Sequence, residues 1–544
     1  MQRTTQNRLP QLLLIVLIIL LPILLQILYT GPSLLDIQNT KWPTYTGHRF
    51  LLFFLWAITT LGAISLLAIR GIYLTIPTFI SLIVALYIVL TGTNIEYEVY
   101  ASIANTSLNE ALEFVLSPLV LIALIGVISL SFCLYLFLLK NVNSREHGQP
   151  IKTKSTALLL LLGFIGLGAM YQYDRDALYK TYPLSIPFYF KMYYKEVILF
   201  KNEFNNISYA YEGIENHTQT NSACILIIGE TARKQSMSIY DYSRSTTPYM
   251  ESALKSDDII ATSYHGTSAG VSTRLSVPMI LSTANVKDYK QLASTPTLPH
   301  IFNNLNYHTQ LISNQERAGR NNDIIALMLN QVNSVNYLSE SDDNRGFDEE
   351  IIPFLEDSLL NQFKPGLIIV HLMGSHWKYQ HRYPEDFSYF SGEDELIDTY
   401  DNSILYTDYV IGKALDILQA IDKPTCLIYT SDHGENLNDN NNGTYLHAMK
   451  EMTEYEVKVP FFFAANKAFQ QSHNNIKNIL NNKTKHISHD NISHTLLGLF
   501  NIHDSQYYKE TSDLSSQAFT QVPSHAINRR LEVINTDDYF MEKQ

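Results

Sequence analysis

Three apolar, strand-like runs in this 544-residue chain end in groups that can hold a cation or move a proton. Ala223–Gly229 exits into Glu230-Thr231. Thr425–Thr430 exits into Ser431-Asp432-His433-Gly434-Glu435. Leu367–Leu372 runs into the segment His371-Leu-Met-Gly-Ser-His376. A carboxylate from one strand end and an Asp-His pair from another make a three-ligand site. Oxygen and imidazole donors suit zinc, with manganese as the second choice, and leave a coordination position open for a substrate oxygen or a nucleophile. Each residue also has a plainer use. Asp-His-Gly serves as a turn with a capped helix after it, and Glu230 as an acid at a helix start. Their shared place at the exits of apolar strands favours the site.

Such a site needs elements that bring strand ends together. Further strand-like runs lie at Ile259–Tyr264, Thr309–Ser313 and Val459–Ala464. They are continuously apolar rather than alternating, as strands buried on both faces are. Between two runs, Thr399–Ile421 carries Ile404, Leu405, Val410, Ile411, Ala414, Leu415 and Leu418 at helical spacing. The alternation predicts an α/β domain with a mostly parallel central sheet and helices on both faces. Active sites in such folds lie beyond the carboxyl ends of the strands, where these residues fall. The net charge of -13 and the lack of a basic stripe in this half exclude nucleic acid as a partner. The cysteines, Cys133, Cys224 and Cys426, form neither a disulfide framework nor a zinc motif.

The first ~170 residues differ in kind. Apolar runs at Leu12–Tyr29, Phe50–Ile69, Ile72–Thr91, Phe114–Leu139 and Thr156–Tyr173 are each about long enough to cross ~30 Å of hydrocarbon. Arg3, Arg8, Arg70, Lys140, Arg145, Lys152 and Lys154 fall on one side if the N-terminus is cytoplasmic. The expected organisation is a five-helix transmembrane domain over 1–173, an interfacial amphipathic connector over 174–220 and an exported catalytic domain over 221–544. The connector interleaves aromatic residues with Lys180, Lys191, Lys195 and Lys201, a mixture suited to the headgroup layer. The Asn-rich stretch Asn436–Asn442 reads as a loop beside the site.

The motifs together resemble the phosphoethanolamine transferases of the alkaline phosphatase and sulfatase superfamily. The resemblance is carried by Ile-Ile-Gly-Glu-Thr-Ala-Arg (227–233), Tyr242, Thr246-Thr247-Pro248, His371 to His376, Arg382-Tyr383-Pro384, Tyr400-Asp401-Asn402, Ser431 to Glu435 and Tyr445-Leu446-His447, in that order. It implies one or two zinc ions, the first held by Glu230, Asp432, His433 and the catalytic Thr273. The threonine is placed by Thr273-Arg274-Leu275-Ser276-Val277-Pro278, which is similar to the family's Thr-x-x-Ser-Val-Pro. His376 and His447 are implied as contacts to the phosphoethanolamine group or to a second zinc. Asn105, Asn109 and Glu113, at i, i+4 and i+8, are similar to positions that meet the lipid headgroup, with a solvated helix face as the competing reading. The activity implied is transfer of phosphoethanolamine from phosphatidylethanolamine to a cell-envelope acceptor, lipopolysaccharide core or lipid A, through a covalent threonine intermediate. The location implied is a bacterial inner membrane, with the catalytic domain in the periplasm.

The chain departs from the lipid A-modifying members at His265-Gly-Thr-Ser-Ala-Gly-Val-Ser-Thr273, which lacks their cysteine and is longer. Thr267 and Ser272 therefore stay open as nucleophiles, and His265 is undecided. Two other function classes stay open. One is a phosphoglycerol transferase or sulfatase-like hydrolase of the same superfamily, although the formylglycine motif of sulfatases is missing from the nucleophile loop. The other is a non-catalytic membrane scaffold, for which keeping Glu230, Thr273, Asp432 and His433 together would serve no purpose.

Overall fold

The computed structural model describes residues 9–29, 42–66, 71–91, 95–96, 99–100, 103, 115–116, 118–141, 153–206, 219–315, 324–338, 346–392, 394–439, 445–448, 451–503 and 506–542. The chain divides into two compact units, Met1–Lys195 and Glu196–Gln544.

Unit 1 is helical. α1 (Leu9–Tyr29), α2 (Trp42–Leu66), α3 (Gly71–Thr91), α4 (Pro118–Asn141) and α5 (Thr153–Tyr173) lie over the five predicted apolar runs. Ile15, Val16, Leu20 and Ile23 of α1 pack with Phe53 of α2 and with Val84 and Ile88 of α3. Ser81, Tyr182 and Gln26 form polar contacts beside this cluster. The Ser81 hydroxyl donates to Ile19 O (2.9 Å) and lies 2.7 Å from the Tyr182 hydroxyl, and Tyr182 N donates to Gln26 Oε1 (3.2 Å). Among the described residues, no helix is long and apolar enough to cross a membrane. In each helix the unbroken stretch of described side chains is shorter than the ~20 residues a crossing takes. α6 (Arg175–Lys180), capped by Asp174, and α7 (Ser185–Asn206) cover the aromatic and lysine-rich segment. Asn105, Asn109 and Glu113 lie outside the described residues.

Unit 2 is built on an eight-stranded sheet of order β10-β2-β9-β6-β1-β5-β3-β4. The strands are β1 (Ala223–Gly229), β2 (Ile259–Thr267), β3 (His308–Ser313), β4 (Ser334–Tyr337), β5 (Gly366–His371), β6 (Thr425–Ser431), β9 (Lys458–Asn466) and β10 (Ile487–Ser488). β7 (Asn436–Leu437) and β8 (Tyr445–Leu446) form a separate antiparallel pair. The Asn-rich stretch expected as a loop therefore begins as a buried strand. The large sheet is parallel except for β9, which runs antiparallel to both β2 and β6. Every residue of β1 is buried. Cys224, Leu226 and Ile228 enter the core on one face, and Ala223, Ile225 and Ile227 the core on the other. That two-sided burial is why the strand reads as one apolar run. α8 (Thr273–Ile280) carries Val277 and Ile280 into the first core, which α10 (Asp490–Leu499) also joins. The 26-residue α9 (Glu395–Ala420) closes the second, with Tyr400, Ile404, Val410, Ile411 and Leu418 facing the sheet side.

Candidate metal centre

Strand register assembles the site. Gly229 pairs with Ser431 at the parallel end of β1 and β6, and Asp432 N donates to Gly229 O (3.0 Å) just beyond it. Glu230 and Asp432 thus leave adjacent strands side by side. The next residue, Thr231, has φ +60, a left-handed conformation that costs a β-branched residue about 1–3 kcal/mol. Its surroundings hold it there. Thr231 N donates to Asp432 Oδ1 (3.0 Å), its hydroxyl to Glu230 Oε1 (2.6 Å), and Tyr400 OH donates to Thr231 O (2.8 Å). The sharp turn aims the Glu230 carboxylate across the strand ends.

His433 completes the cluster. Its Nδ1 lies 2.9 Å from Gly434 O, which can only accept, so Nδ1 carries the hydrogen and Nε2 of the neutral ring offers a lone pair. Nε2 sits 3.4 Å from Glu230 Oε1 and 3.4 Å from Asp432 Oδ2. Ligand atoms of Glu230, Asp432 and His433 all fall within 4.8 Å of one another, and all three side chains are buried. Asp432 Oδ1 accepts from Thr231 N and His433 N, whereas Oδ2 is buried with no hydrogen-bond partner. An orphaned buried carboxylate oxygen facing an imidazole nitrogen is the donor set a divalent cation satisfies.

The electrostatics agree. Burial and then the Glu230 charge push Asp432 up to about 7. Burial works against charge on His433, yet Asp432 and Glu230 hold its pKa at about 10. Burial likewise raises Glu230, but His433 outweighs it and pulls the carboxyl below its ordinary range.

Thr273, at the first turn of α8, points into this cluster. Its Oγ1 is 3.3 and 3.2 Å from the two Glu230 oxygens and 3.3 Å from His433 Nε2. The loop before it is fixed by three ties. Ser268 Oγ donates to Asp432 O (2.7 Å), Ala269 N donates to His489 Nδ1 (3.1 Å), and Ile527 N donates to Ala269 O (2.8 Å). His489 Nε2, 3.0 Å from Ser431 O, carries the proton, so this neutral ring links the nucleophile loop to the metal strand. The rival hydroxyls are elsewhere: Thr267 is buried and 2.6 Å from His486 Nε2, and Ser272 Oγ is buried without a partner. The loop needs no disulfide.

His447 lies against the cluster, its ring 4.1 Å from that of His433 and its Nδ1 3.2 Å from Glu435 Oε1. It is flanked by Leu446 (φ +63) and Ala448 (φ +54), both left-handed, which mark a tightly determined loop. His376 Nδ1 faces Trp377 O (2.9 Å), and its charge acts on Glu230. Gly374 explains how the His376 segment comes so close. With φ +52, it sits where a Cβ would lie 2.7 Å from Glu230 O.

The sequence reading quoted Glu435 only within its motif and did not single out Gln315, Asp348 or His489. Buried Glu435 holds His447 on one oxygen and accepts from Tyr379 OH (3.1 Å) on the other. Gln315 Nε2 donates to Glu230 Oε2 (3.4 Å) and to Leu372 O (2.9 Å). Asp348 accepts from Met373 N (2.9 Å) and Gly374 N (2.8 Å), fixing the turn before His376. Glu435 had a signal, two residues after His433; Gln315, Asp348 and His489 had none. Conversely, motif residues Arg233, Tyr242 and Asp401 are struts. Arg233 pairs with Asp439 (2.7 Å) and lies over the Tyr400 and Tyr455 rings, while Asp401 Oδ2 accepts from Tyr242 OH (2.8 Å) and Arg244 (2.9 Å).

Residues 222–502 match the sulfatase family, and the chain belongs to it. Among curated proteins it is similar to phosphoethanolamine transferase EptA of Salmonella typhimurium, 32% identical over 320 residues, covering 53% of this chain and 55% of the relative. It is also similar to phosphoethanolamine transferase EptC of Escherichia coli O18:K1:H7, 28% identical over 264 residues and 46% of each protein. The chain spans about half the length of the curated relatives it matches. The fold is that of the integral membrane lipooligosaccharide phosphoethanolamine transferase A from Neisseria meningitidis, with TM-score 0.68, 20% identity, and coverage of 92% of this chain and 97% of that one. Unit 2 shares its fold with the periplasmic domain of Escherichia coli EptC solved with zinc, with TM-score 0.54, 24% identity, and coverage of 59% and 94%. The resemblance to the phosphoethanolamine transferases seen in the motifs therefore extends to relatives of that name.

Proposed function

We propose that this chain transfers phosphoethanolamine from phosphatidylethanolamine to a lipopolysaccharide acceptor, on core or lipid A, by way of a phosphoethanolamine ester on Thr273. The observation that carries the reading is Thr273 Oγ1, 3.2–3.3 Å from Glu230 and His433 beside the unpartnered Asp432 Oδ2. Glu230, Asp432, His433 and Thr273 would hold a zinc ion, as the zinc-bound fold relative and the donor set both favour. When bound, the ion supplies Lewis acidity at the threonine oxygen and the phosphoryl oxygens.

The chain's own groups divide the remaining work. Thr273 Oγ attacks phosphorus in line, the P–O bond to diacylglycerol breaks, and the hydroxyl proton leaves to the carboxylate edge facing it. His447, with Nδ1 held by Glu435, supplies the proton that the departing diacylglycerol oxygen takes up. An acceptor oxygen then attacks the same phosphorus and the P–O bond to Thr273 breaks; the acceptor's proton goes to His447, and the proton held at the carboxylate edge returns to the Thr273 oxygen. His376 contacts the phosphoethanolamine group in this reading. Unit 1 spans the inner membrane, the segment 174–220 lies on the outer leaflet, and the catalytic domain over 221–544 faces the periplasm. This places donor and acceptor in reach, and the fold relative from Neisseria meningitidis is itself an integral membrane protein.

Intact mass of the zinc-loaded chain after exposure to phosphatidylethanolamine tests the reading. A phosphoethanolamine adduct is expected on wild type and not on Thr273→Ala, with turnover falling by roughly 10³-fold or more. An adduct that persists in Thr273→Ala would overturn the nucleophile. Release of sulfate or glycerophosphate with no adduct would overturn the reaction.

A further inference from the structure

A shelf of basic side chains beside the metal centre is used by none of this chemistry. In the antiparallel β2–β9 ladder Thr267 pairs with Lys458, and on the other side Ser488 of β10 pairs with Thr267. Residues opposite one another, and residues two apart, share a sheet face. His265, Thr267, Lys458 and His486 therefore lie on one face, and the Thr267 hydroxyl is 2.6 Å from His486 Nε2. Lys234, just after the Glu230 turn, reaches the same place and sets its Nζ 3.0 Å from His265 Nδ1.

The shelf is physically joined to the metal centre. Gly434 N donates to Glu456 O (2.7 Å), and Ser268 N donates to Val457 O (2.8 Å), so the segment leading into Lys458 is bound both to the residue after His433 and to the nucleophile loop. Acids offset it only in part. Among the described residues, Asp537 is the one carboxylate at ion-pair distance, 3.9 Å from Lys458 Nζ and 44% exposed, while Glu454 acts on both lysines and Asp241 on His265 from farther away. An ammonium whose close partner is an imidazole, next to a second lysine, is poorly compensated. Burial and then Lys458 lower the Lys234 pKa; burial and then Lys234 lower that of His265. His265 is exposed and the two lysines and His486 are half-buried, so the shelf is open to a ligand.

We propose that Lys234, His265, Lys458 and His486 form a subsite for a phosphate monoester next to the metal centre. Two ammonium groups and two imidazole rings match a compact dianion with several acceptor oxygens. Lys234, His265 and Lys458 lie outside the motifs that carry the family resemblance. Occupation by a phosphorylated acceptor rests on the transfer reading; anion binding itself does not.

The test is calorimetric titration of the zinc-loaded full chain in detergent with inorganic phosphate and, separately, glucosamine 1-phosphate. The double variant Lys234→Ala/Lys458→Met is expected to weaken one binding event by about tenfold or more, the loss of charge-assisted hydrogen bonds. Asp432→Asn should keep that event, and Lys458→Arg in place of Lys458→Met should recover most of it. Tighter binding of the sugar phosphate would assign the subsite to an esterified acceptor, and equal binding to phosphate itself. Unchanged binding in the double variant, or loss of all phosphate binding in Asp432→Asn, would overturn the proposal. The adduct on Thr273 is measured on the same preparation. Its absence from wild type would sink the transfer reading and leave the binding result to decide the subsite.

Discussion

Asp432 and Asp348 are both buried carboxylates at the catalytic end of the sheet, and they have been given opposite surroundings. Asp348 is saturated: Oδ1 accepts from Asn314 Nδ2 (2.8 Å) and Met373 N (2.9 Å), and Oδ2 from Gly374 N (2.8 Å). Asp432 is saturated on Oδ1 alone; its Oδ2 makes no hydrogen bond and has His433 Nε2 3.4 Å away. Burying an unmet carboxylate oxygen costs several kcal/mol unless something outside the chain meets it. Asp401 Oδ1 and Glu456 Oε1 are also buried without partners, so what marks Asp432 is an open oxygen 3.4 Å from His433 Nε2 in a cluster with Glu230. Asp401, part of a motif, has one buried oxygen without a partner, but its other oxygen ties Tyr242 and Arg244.

The contrast is broken most severely by removing the open oxygen. Zinc added to metal-stripped full chain should raise its stability by about 2.7 kcal/mol at a hundredfold excess over the dissociation constant. Asp432→Asn should abolish most of that gain. Thermal unfolding in detergent, with and without zinc, measures both. A zinc-dependent shift of equal size in Asp432→Asn would mean that Oδ2 is not a ligand.

Asp348→Asn tests the other half with a smaller effect. The amide can still accept from Asn314 and Met373, but its NH₂ group would confront Gly374 N–H. A loss of roughly 1–3 kcal/mol of stability is expected, with the zinc-dependent shift retained. If Asp348→Asn instead removed the zinc response, the division between scaffold and site would fail.

How much of this was legible in the sequence follows from the same physics. β1 and β6 could be read because burial on both faces forces a continuous apolar run, and Glu230 and Asp432 stood out because a carboxylate at such an exit has no packing role. β4, with its Asn336, and the two-residue β10 could not be read, since an edge or a two-residue strand carries no pattern. Nor could the reversed direction of β9, because Pro460, Phe461, Phe462 and Phe463 are equally apolar read either way. Thr273 was reached only by resemblance. No local signal separates it from Thr267 and Ser272 until the loop is folded by Ser268, His489 and Ile527. Gln315 and Asp348 act through contacts distant in sequence, and a polar residue after a strand is ordinary in itself.

Asp408 sharpens the comparison from the scaffold side, through a change of slope rather than a loss of ligand or fold. It lies on α9 and, like Asp348, meets donors on both oxygens: Tyr249 N (2.7 Å) on Oδ2 and Met250 N (3.0 Å) on Oδ1. Those bonds favour the carboxylate, but burial opposes it more strongly and raises the pKa from 3.8 to about 8. The folded chain then binds the proton more tightly than the unfolded chain. Below about pH 4 both states hold it and the stability is fully present. As pH rises from about 4 to 8, the unfolded chain releases the proton first, and stability falls by up to ~1.4 kcal/mol per pH unit. Above that range both states are ionised and the loss is complete. Asp408→Asn cannot titrate, so it should remove this part of the slope, seen as a flatter curve of unfolding free energy against pH over that interval. If wild type and Asp408→Asn gave parallel curves, the two main-chain donors would be keeping the carboxylate ionised despite burial. A saturated carboxylate would then carry no pH cost, and the Glu230 charge would weigh more than depth in raising Asp432.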